Sequence, residues 1–186
     1  MKDSEIIQSI LNGDKELYAE LVRRHMDHVI RVSRGILSDP TLAEDAAQEI
    51  FIKAFQTLHK FRGDSQFSTW LYRIATNHCL DIKRKLKRRK SHSLEDLPSQ
   101  GENLANFKSP ESMEKLLELK DFSDRILNDL SVDDRTALVL RESEGLSYEE
   151  IAETMCVSLD AVKSRLKRTR EKVEKKMRHL LASDNV

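Results

Sequence analysis

The sequence predicts an all-α protein of two small helical domains joined by a flexible linker, the second domain being a helix-turn-helix. Apolar residues recur at helical spacing over most of the 186-residue chain. Only 5% of the residues are aromatic and 34% are charged, a composition that favours helices over sheets. Between residues 91 and 111 the helical periodicity stops and Ser, Pro, Gly and Asn accumulate, as is typical of a linker.

The first predicted domain, residues 1–90, contains four stretches of helical periodicity. The first runs from Asp3 to Leu11, the second follows Asp14 and stops at Pro40, and the third ends at Leu58. Each of the last three helices is preceded by a polar residue that can accept a hydrogen bond from its first N–H groups. These predicted caps are Asp14, Thr41 (with Glu44 in a capping box), and Ser68 or Thr69.

The third predicted helix has a polar side opposite its apolar residues, made of Asp45, Gln48, Glu49 and Lys53. On most helices such a side only faces solvent. An acidic and amide surface can also pair with basic residues on a partner helix, where the charges guide approach and orientation. The residues alone leave both interpretations open.

The stretch from Phe61 to Asp81 combines a loop, aromatic side chains and an amide, and a dense basic run follows it. Unpaired bases stack on rings, amides bind base edges, and Lys and Arg hold the backbone. A lone tryptophan is more often a core residue, and a basic run is usually a solvated face. The combination in one short segment favours binding of single-stranded or melted DNA. The candidate residues are Phe61, Phe67, Trp70, Arg73, Asn77, Lys83 and Arg84.

The second predicted domain, residues 112–186, begins with an acidic amphipathic helix that ends at Leu130. Three more helices are predicted to follow the caps Ser131, Ser147 and Ser158. The last two are joined by a tight turn and the second is basic, which is typical of a helix-turn-helix. A charged, solvent-facing helix is the alternative. The candidate contacts to duplex DNA are Ser158, Asp160, Lys163, Ser164, Arg165, Lys167 and Arg168.

Charge and cysteine usage set the remaining limits. The 32 basic and 32 acidic residues cancel, but basic residues concentrate at 83–90 and 163–178, so local fields still favour phosphate. Cys79 and Cys156 have no metal-binding spacing and are predicted to be reduced, buried residues of a cytosolic protein. No apolar span approaches a membrane helix, and no signal peptide is visible, which predicts a soluble cytoplasmic protein. No catalytic motif is present, so no enzyme activity, cofactor or metal is predicted.

Three segments resemble bacterial sigma-70 family sigma factors of the extracytoplasmic-function (ECF) group. They are F-R-G-x-x-x-F-x-T-W-L-x-R-I-A-x-N at 61–77, A-E-D-x-x-Q-E-x-F at 43–51, and G-L-S-Y-E-E-I-A with A-V-K-S-R-L-x-R-x-R at 145–170. The resemblance implies that Asp45, Gln48 and Glu49 bind core RNA polymerase. It also implies that the first domain recognises and melts the minus-ten element, while the helix-turn-helix binds the minus-thirty-five element of promoter DNA. Such proteins respond to stress or envelope signals, and many are held by an anti-sigma factor.

Two other functions are compatible with the same residues. An autonomous helix-turn-helix regulator would bind duplex tightly without polymerase, and changes at Asp45 or Glu49 would not affect it. A pure adaptor that sequesters another regulator would bind its partner but would not open a promoter with polymerase present.

Overall fold

The computed structural model describes residues 1–92, 126, 127 and 129–183, and all regular structure in these ranges is helical. The predicted all-α class is therefore confirmed. The predicted linker and the acidic helix that follows it lie largely outside the described residues. The α-helices are α1 (Asp3–Leu11), α2 (Tyr18–Leu37), α3 (Pro40–Thr57), α4 (Phe67–His92), α5 (Val132–Glu142), α6 (Tyr148–Met155) and α7 (Leu159–Ser183), with 3₁₀ turns at Lys15–Leu17 and Leu58–Lys60.

The first domain is built on three helices, α2, α3 and α4, that pack against one another, with α1 closing one end. Leu21, Ile50 and Leu71, one from each of the three helices, are fully buried between them. Burying side chains of this size contributes about 1.5–3 kcal/mol each relative to exposure. Cys79 also lies inside this core, as predicted, and its thiol donates to the Ser33 hydroxyl at 3.5 Å.

The second domain contains α5, α6 and α7 around the fully buried Leu140, Ile151 and Leu166. The sequence predicts its helix starts correctly. The hydroxyl of each predicted cap accepts a hydrogen bond from a backbone N–H three residues ahead, and Ser147 forms a complete capping box with Glu150. These bonds join Ser131 to Asp134 at 3.1 Å, Ser147 to Glu150 at 3.1 Å, and Ser158 to Ala161 at 3.2 Å.

The predicted start of α3 is wrong by two residues. Asp39, not Thr41, is the N-cap, and its side chain accepts from the Leu42 N–H at 3.0 Å. Pro40 occupies the first helical position, where its fixed φ suits the helix and its missing N–H costs nothing. Ser38, in the left-handed conformation (φ 64°), ends α2 before the proline is reached. The predicted capping box with Glu44 does not form.

Two other predicted caps do not act as caps. The Asp14 side chain makes no capping hydrogen bond, and a 3₁₀ turn separates it from α2. Helix α4 already begins at Phe67, so Ser68 and Thr69 lie inside its first turn. The Thr69 hydroxyl instead donates to Glu150 Oε1 at 3.0 Å, which is a contact with the other domain.

The turn between α6 and α7 also places one side chain differently from the prediction. Cys156 is exposed rather than buried, because the chain adopts a left-handed conformation there (φ 54°) to end α6. Within the described ranges, no helix is long and apolar enough to cross a bilayer. The same residues hold no cluster of three or more His, Cys, Asp or Glu side chains suited to a metal ion.

The two domains pack directly on each other. Helix α5 lies against α2, and α6 lies against α4. The buried apolar side chains form one continuous cluster through both domains, from Ile6 to Leu166. Gly35 in α2 allows the closest approach, because a Cβ at this position would lie 2.5 Å from a Val139 methyl group.

Candidate nucleic-acid and protein interfaces

Three aromatic side chains cluster where the loop after α3 meets α4. The Phe61 ring lies 5.5 Å from Trp70 and 5.8 Å from Phe67, and Phe67 lies 5.7 Å from Trp70. Phe67 is buried, and the His25 ring packs against it from α2 at 5.2 Å. Phe61 and Trp70 are half-buried and keep part of their ring surface accessible. Phe67 therefore supports the other two rings from below, while Trp70 and Phe61 can contact a base.

A polar stripe continues from this cluster along α4. Trp70, Arg73, Asn77 and Arg84 are spaced at three, four and seven residues, so they lie on one side of the helix. Arg73, Asn77 and Arg84 are exposed. Residues 70 and 84 are about 21 Å apart along the axis, at 1.5 Å per residue. Four of the predicted minus-ten residues thus form a continuous surface along one side of α4.

The basic run extends the same helix. Lys85, Lys87, Arg88 and Arg89 are exposed, whereas Lys83 is half-buried. Arg84 pairs with Asp81 at 2.9 Å, a surface contact that a phosphate can displace at little cost. This end of α4 therefore concentrates positive charge beside the stripe, where the backbone of a bound strand would pass.

The outer side of α3 carries the predicted polymerase contacts. Asp45, Gln48 and Glu49 are all exposed. Ile52 lies between them on the helix surface and is 58% exposed, and Phe55 beside it is 38% exposed. Ile52 is absent from the predicted site residues, although its spacing of three and four residues from Glu49 and Gln48 places it on the same side. An apolar centre with a polar rim is the usual composition of a protein-binding surface.

A buried histidine supports this surface from below. His78 of α4 is 7% exposed, and its Nδ1 lies 2.5 Å from Lys53 Nζ. Its Nε2 lies 3.2 Å from Glu49 Oε2. Burial, followed by the Lys53 charge, lowers the pKa of His78 below its ordinary value, although Glu49 and Asp81 oppose the shift. The ring is therefore neutral near pH 7, and its Nδ1 accepts a hydrogen bond from Lys53 Nζ.

This arrangement predicts a loss of stability in mild acid. Between its lowered pKa and the ordinary value of 6.5, His78 is protonated in the unfolded chain but not in the folded protein. The free energy of unfolding should therefore be fully present above pH 6.5 and decrease as the pH falls below it. In denaturant unfolding between pH 7.5 and 5, the free energy of unfolding should decrease less for His78→Gln than for the wild type. His59→Gln, at an exposed position, is the control and should follow the wild type; identical profiles for all three proteins would contradict the prediction.

The helix-turn-helix presents one exposed, mainly basic side of α7. Lys163, Ser164, Lys167 and Arg168 are exposed and lie together on it. Ser158 caps this helix, and Asp160 lies exposed in its first turn, where a carboxylate interacts favourably with the helix dipole. Two lysines on adjacent turns can enter a major groove together.

Arg165 was predicted to contact duplex DNA, but the structure places its side chain against another helix of the same domain. It points toward α5, with Nη2 3.3 Å from Asp133 Oδ2 and Nε 3.9 Å from Asp134 Oδ1. Its side chain is 19% exposed. Arg165 therefore connects α7 to α5 within the domain, whereas the other predicted residues of this helix-turn-helix are exposed.

This geometry defines a class of protein. It is a two-domain helical protein with one surface suited to unpaired bases and another suited to duplex DNA. The sequence profile of Sigma-70 region 2 matches residues 21–89, and that of Sigma-70 region 4 matches residues 124–173. The RNA polymerase sigma-H factor of Pseudomonas aeruginosa is 37% identical over 97% of this chain and 96% of its own. The ECF RNA polymerase sigma-E factor of Escherichia coli strain K12 is 35% identical over 97% of both chains.

Two solved structures have a similar fold. The sigma factor RpoE from Bartonella quintana, in complex with the anti-sigma factor NepR, has a TM-score of 0.72 at 25% identity, over 87% of this chain and 96% of that one. CnrH, in complex with the cytosolic domain of CnrY, has a TM-score of 0.68 at 24% identity over 98% of both chains, which shows a shared fold. The chain belongs to the sigma-70 family, in its ECF group. It is thus a transcription initiation factor that acts with core RNA polymerase and promoter DNA.

Proposed function

We propose that the protein works in the cytoplasm, directs core RNA polymerase to a specific set of promoters in response to stress or envelope signals, and carries no catalytic activity of its own. The observation that supports this most strongly is the presence of two separate DNA-facing surfaces in one chain. The α4 stripe suits a melted strand, and the basic side of α7 suits a duplex. A simple helix-turn-helix regulator needs only the second.

The roles divide between the domains. Residues 1–90 bind polymerase and melt the minus-ten element, 91–111 link the domains, and 112–186 bind the minus-thirty-five element. In the first domain, Trp70 and Phe61 stack on unpaired bases, Asn77 binds a base edge, and Arg73 and Arg84 hold phosphates with Lys83. Phe67 positions the two outer rings. In the second, Lys163 and Lys167 enter the major groove, and Ser158, Asp160, Ser164 and Arg168 flank them, while Arg165 holds the helix in place.

The polymerase-binding surface consists of Asp45, Gln48 and Glu49 around Ile52. The carboxylates fit a partner helix rich in arginine, and Ile52 supplies an apolar anchor at the centre, where binding energy usually concentrates. The solved relative RpoE is in complex with an anti-sigma factor, so a partner of that kind is proposed for this chain as well.

Changes on this surface should weaken polymerase binding without affecting the fold. Ile52→Ala is expected to weaken the affinity for core polymerase by about tenfold, because the few residues that dominate an interface lie near its centre and each cost more than 1 kcal/mol when truncated. Asp45→Ala and Glu49→Ala should each have a smaller effect that grows at low salt, because exposed charges mainly steer association. Binding of labelled protein to purified core enzyme measures all three.

Asp27→Ala is the matched control, because Asp27 is an exposed carboxylate of α2 and not of the α3 surface. It should bind core enzyme like the wild type. An equal loss for Asp27→Ala and Ile52→Ala would contradict the proposed surface. Run-off transcription with core polymerase tests the function as a whole. Tight promoter binding by the protein alone, with no transcript on adding polymerase, would instead indicate an autonomous regulator.

A further inference from the structure

The basic residues of α7 fall into two groups, according to whether a carboxylate of their own domain neutralises them. Lys163 and Lys167, on the exposed side, form no ion pair within the part of the chain that the structure describes. Four others pair with carboxylates of α5 or of the turn before it. These pairs are Arg165 with Asp133, Arg170 with Glu142, Lys172 with Asp134, and Lys176 with Asp129. The domain thus neutralises the side of α7 toward α5 and leaves the exposed side to an outside partner.

One acidic side chain lies among the unpaired lysines. Asp160 precedes Lys163 by three residues and Lys167 by seven, so the three side chains form one row along the helix. Asp160 is exposed, and no Lys or Arg of the described residues pairs with it. A carboxylate in the first turn also stabilises the helix through its dipole, but that effect is the same whatever DNA is bound. The row that faces DNA therefore carries an uncompensated negative charge at its first position.

A negative charge on this surface lowers the affinity for DNA unless a base compensates it. Phosphates line the groove, and their repulsion weakens the binding of every sequence alike. Cytosine can compensate the charge, because its N4 amine donates in the major groove and a carboxylate accepts from it. Guanine and thymine present acceptors there, and adenine places its donor beside the N7 acceptor, an arrangement that suits an amide. Cytosine is therefore the base that fits a carboxylate best.

Asp160 also lies at the end of α7 that reaches base edges. In helix-turn-helix proteins, the N-terminal residues of the recognition helix contact the bases. Ser158 caps α7, and Asp160 is in the first turn after it. Asp160 and Lys163 are about 4.5 Å apart along the axis at 1.5 Å per residue, and base pairs are stacked about 3.4 Å apart. The two side chains therefore reach neighbouring base pairs.

We propose that Asp160 is a specificity-determining residue, which accepts a hydrogen bond from the N4 amine of a cytosine in the minus-thirty-five element, next to the base that Lys163 contacts. The carboxylate binds this cytosine and repels the acceptors of guanine and thymine at the same position. It therefore contributes to discrimination more than to affinity. The inference rests on the proposed function for the duplex that α7 binds, and it adds the base that one side chain selects.

Selection from a promoter library tests the preference. The holoenzyme, formed from core polymerase and the full-length chain, is bound to duplexes randomised over the minus-thirty-five element, and the bound fraction is sequenced. The wild type should prefer cytosine at one position by about 5- to 150-fold in affinity, the range of a well-placed base contact. Asp160→Ala should lose the preference at that position alone. Asp160→Asn should no longer prefer cytosine to adenine there, because an amide matches N6 and N7 of adenine.

A base analogue tests the single hydrogen bond. 2-Pyrimidinone, placed instead of the selected cytosine, lacks the N4 amine. With the wild type, this replacement should weaken binding by about 5- to 150-fold. With Asp160→Ala it should have only the effect that the analogue has on the duplex itself, so the two losses should not add. A folding defect of the variant would weaken binding to both duplexes alike and would leave their ratio unchanged.

Glu171→Gln is the matched control. Glu171 is an exposed carboxylate on the same side of α7, about 16 Å beyond Asp160 at 1.5 Å per residue. Both Asp160→Ala and Glu171→Gln should raise the affinity for unrelated duplexes, because each removes a negative charge near phosphates. Only Asp160→Ala should change the preferred base.

The outcomes separate this inference from the proposed function. If Asp160→Ala or Asp160→Asn selected the same sequence as the wild type, the role of Asp160 would be overturned and the sigma-factor function would stand. The same conclusion would follow from a wild-type preference for another base at the affected position, or from equal losses with the analogue in both proteins. A holoenzyme that selects no sequence would reject both. Selection of cytosine through Asp160, with no transcript from the selected promoters, would retain the role of Asp160 and reject the proposed function.

Discussion

Trp70→Ala is expected to reduce promoter opening by about 5- to 150-fold, because stacking of one base on an aromatic ring contributes about 1–3 kcal/mol. Binding to core polymerase should change little, since the polymerase-binding surface lies on the outer side of α3. Fluorescence of a base analogue placed in the minus-ten element, recorded with the protein and core enzyme present, measures opening. Association with labelled core enzyme measures binding.

The packing of Trp70 makes controls necessary. Its ring contacts both Phe61 and Phe67, so truncation also removes support from the cluster. Trp70→Leu keeps an apolar side chain but removes the π surface, and it should lose most of the opening activity. Trp70→Phe should keep a large part of it. Asn77→Ala, at an exposed position, should impair opening with no change in melting temperature; a parallel loss of core binding in these variants would show that the residues act only in folding.

The sequence predicted best what depends on neighbours along the chain. The limits of α1 and the caps of α5, α6 and α7 were predictable because periodicity and a serine followed by N–H groups are local features. The surfaces on α3 and α7 were predictable for a similar reason, since side chains three and four residues apart share a side of a helix. Asp39 and Thr41 were harder to separate, because both are good caps and only the position of Pro40 distinguishes them.

The tertiary contacts could not be predicted. Arg165 is basic and lies in the basic helix, but its proximity to Asp133 and Asp134 depends on how α7 packs on α5. The helical spacing places Ile52 on the solvent side of α3, but an isoleucine in the sequence does not show by itself that it is exposed. The structure shows that Ile50 fills the core while Ile52 stays on the surface, which marks Ile52 as a candidate binding residue. Glu144 belongs to an acidic segment like many others, and its hydrogen-bond partners in α2 and α4 are more than 70 residues away in the chain.

Replacing both lysines on the exposed side of α7 should have the largest effect on duplex binding. Lys163→Ala and Lys167→Ala are each expected to weaken binding to the minus-thirty-five element by about tenfold, since a well-placed base contact contributes about 1–3 kcal/mol. The double variant should lose about a hundredfold if the contacts are independent. Binding of the holoenzyme to promoter duplexes, measured by fluorescence anisotropy over a range of salt concentrations, provides the test.

The salt dependence distinguishes two roles for each lysine. A lysine on a phosphate should lower the slope of log affinity against log salt by about 1 and weaken all sequences alike. A lysine on a base edge should weaken the preferred sequence more than its single-base variants, because specificity depends on base contacts. Lys175→Ala is the matched control: Lys175 is exposed on the same helix, about 12 Å beyond Lys167 at 1.5 Å per residue. If Lys175→Ala weakened binding as much as either other change, net charge would be responsible, and the side of α7 formed by Lys163 and Lys167 would not be the surface that enters the groove.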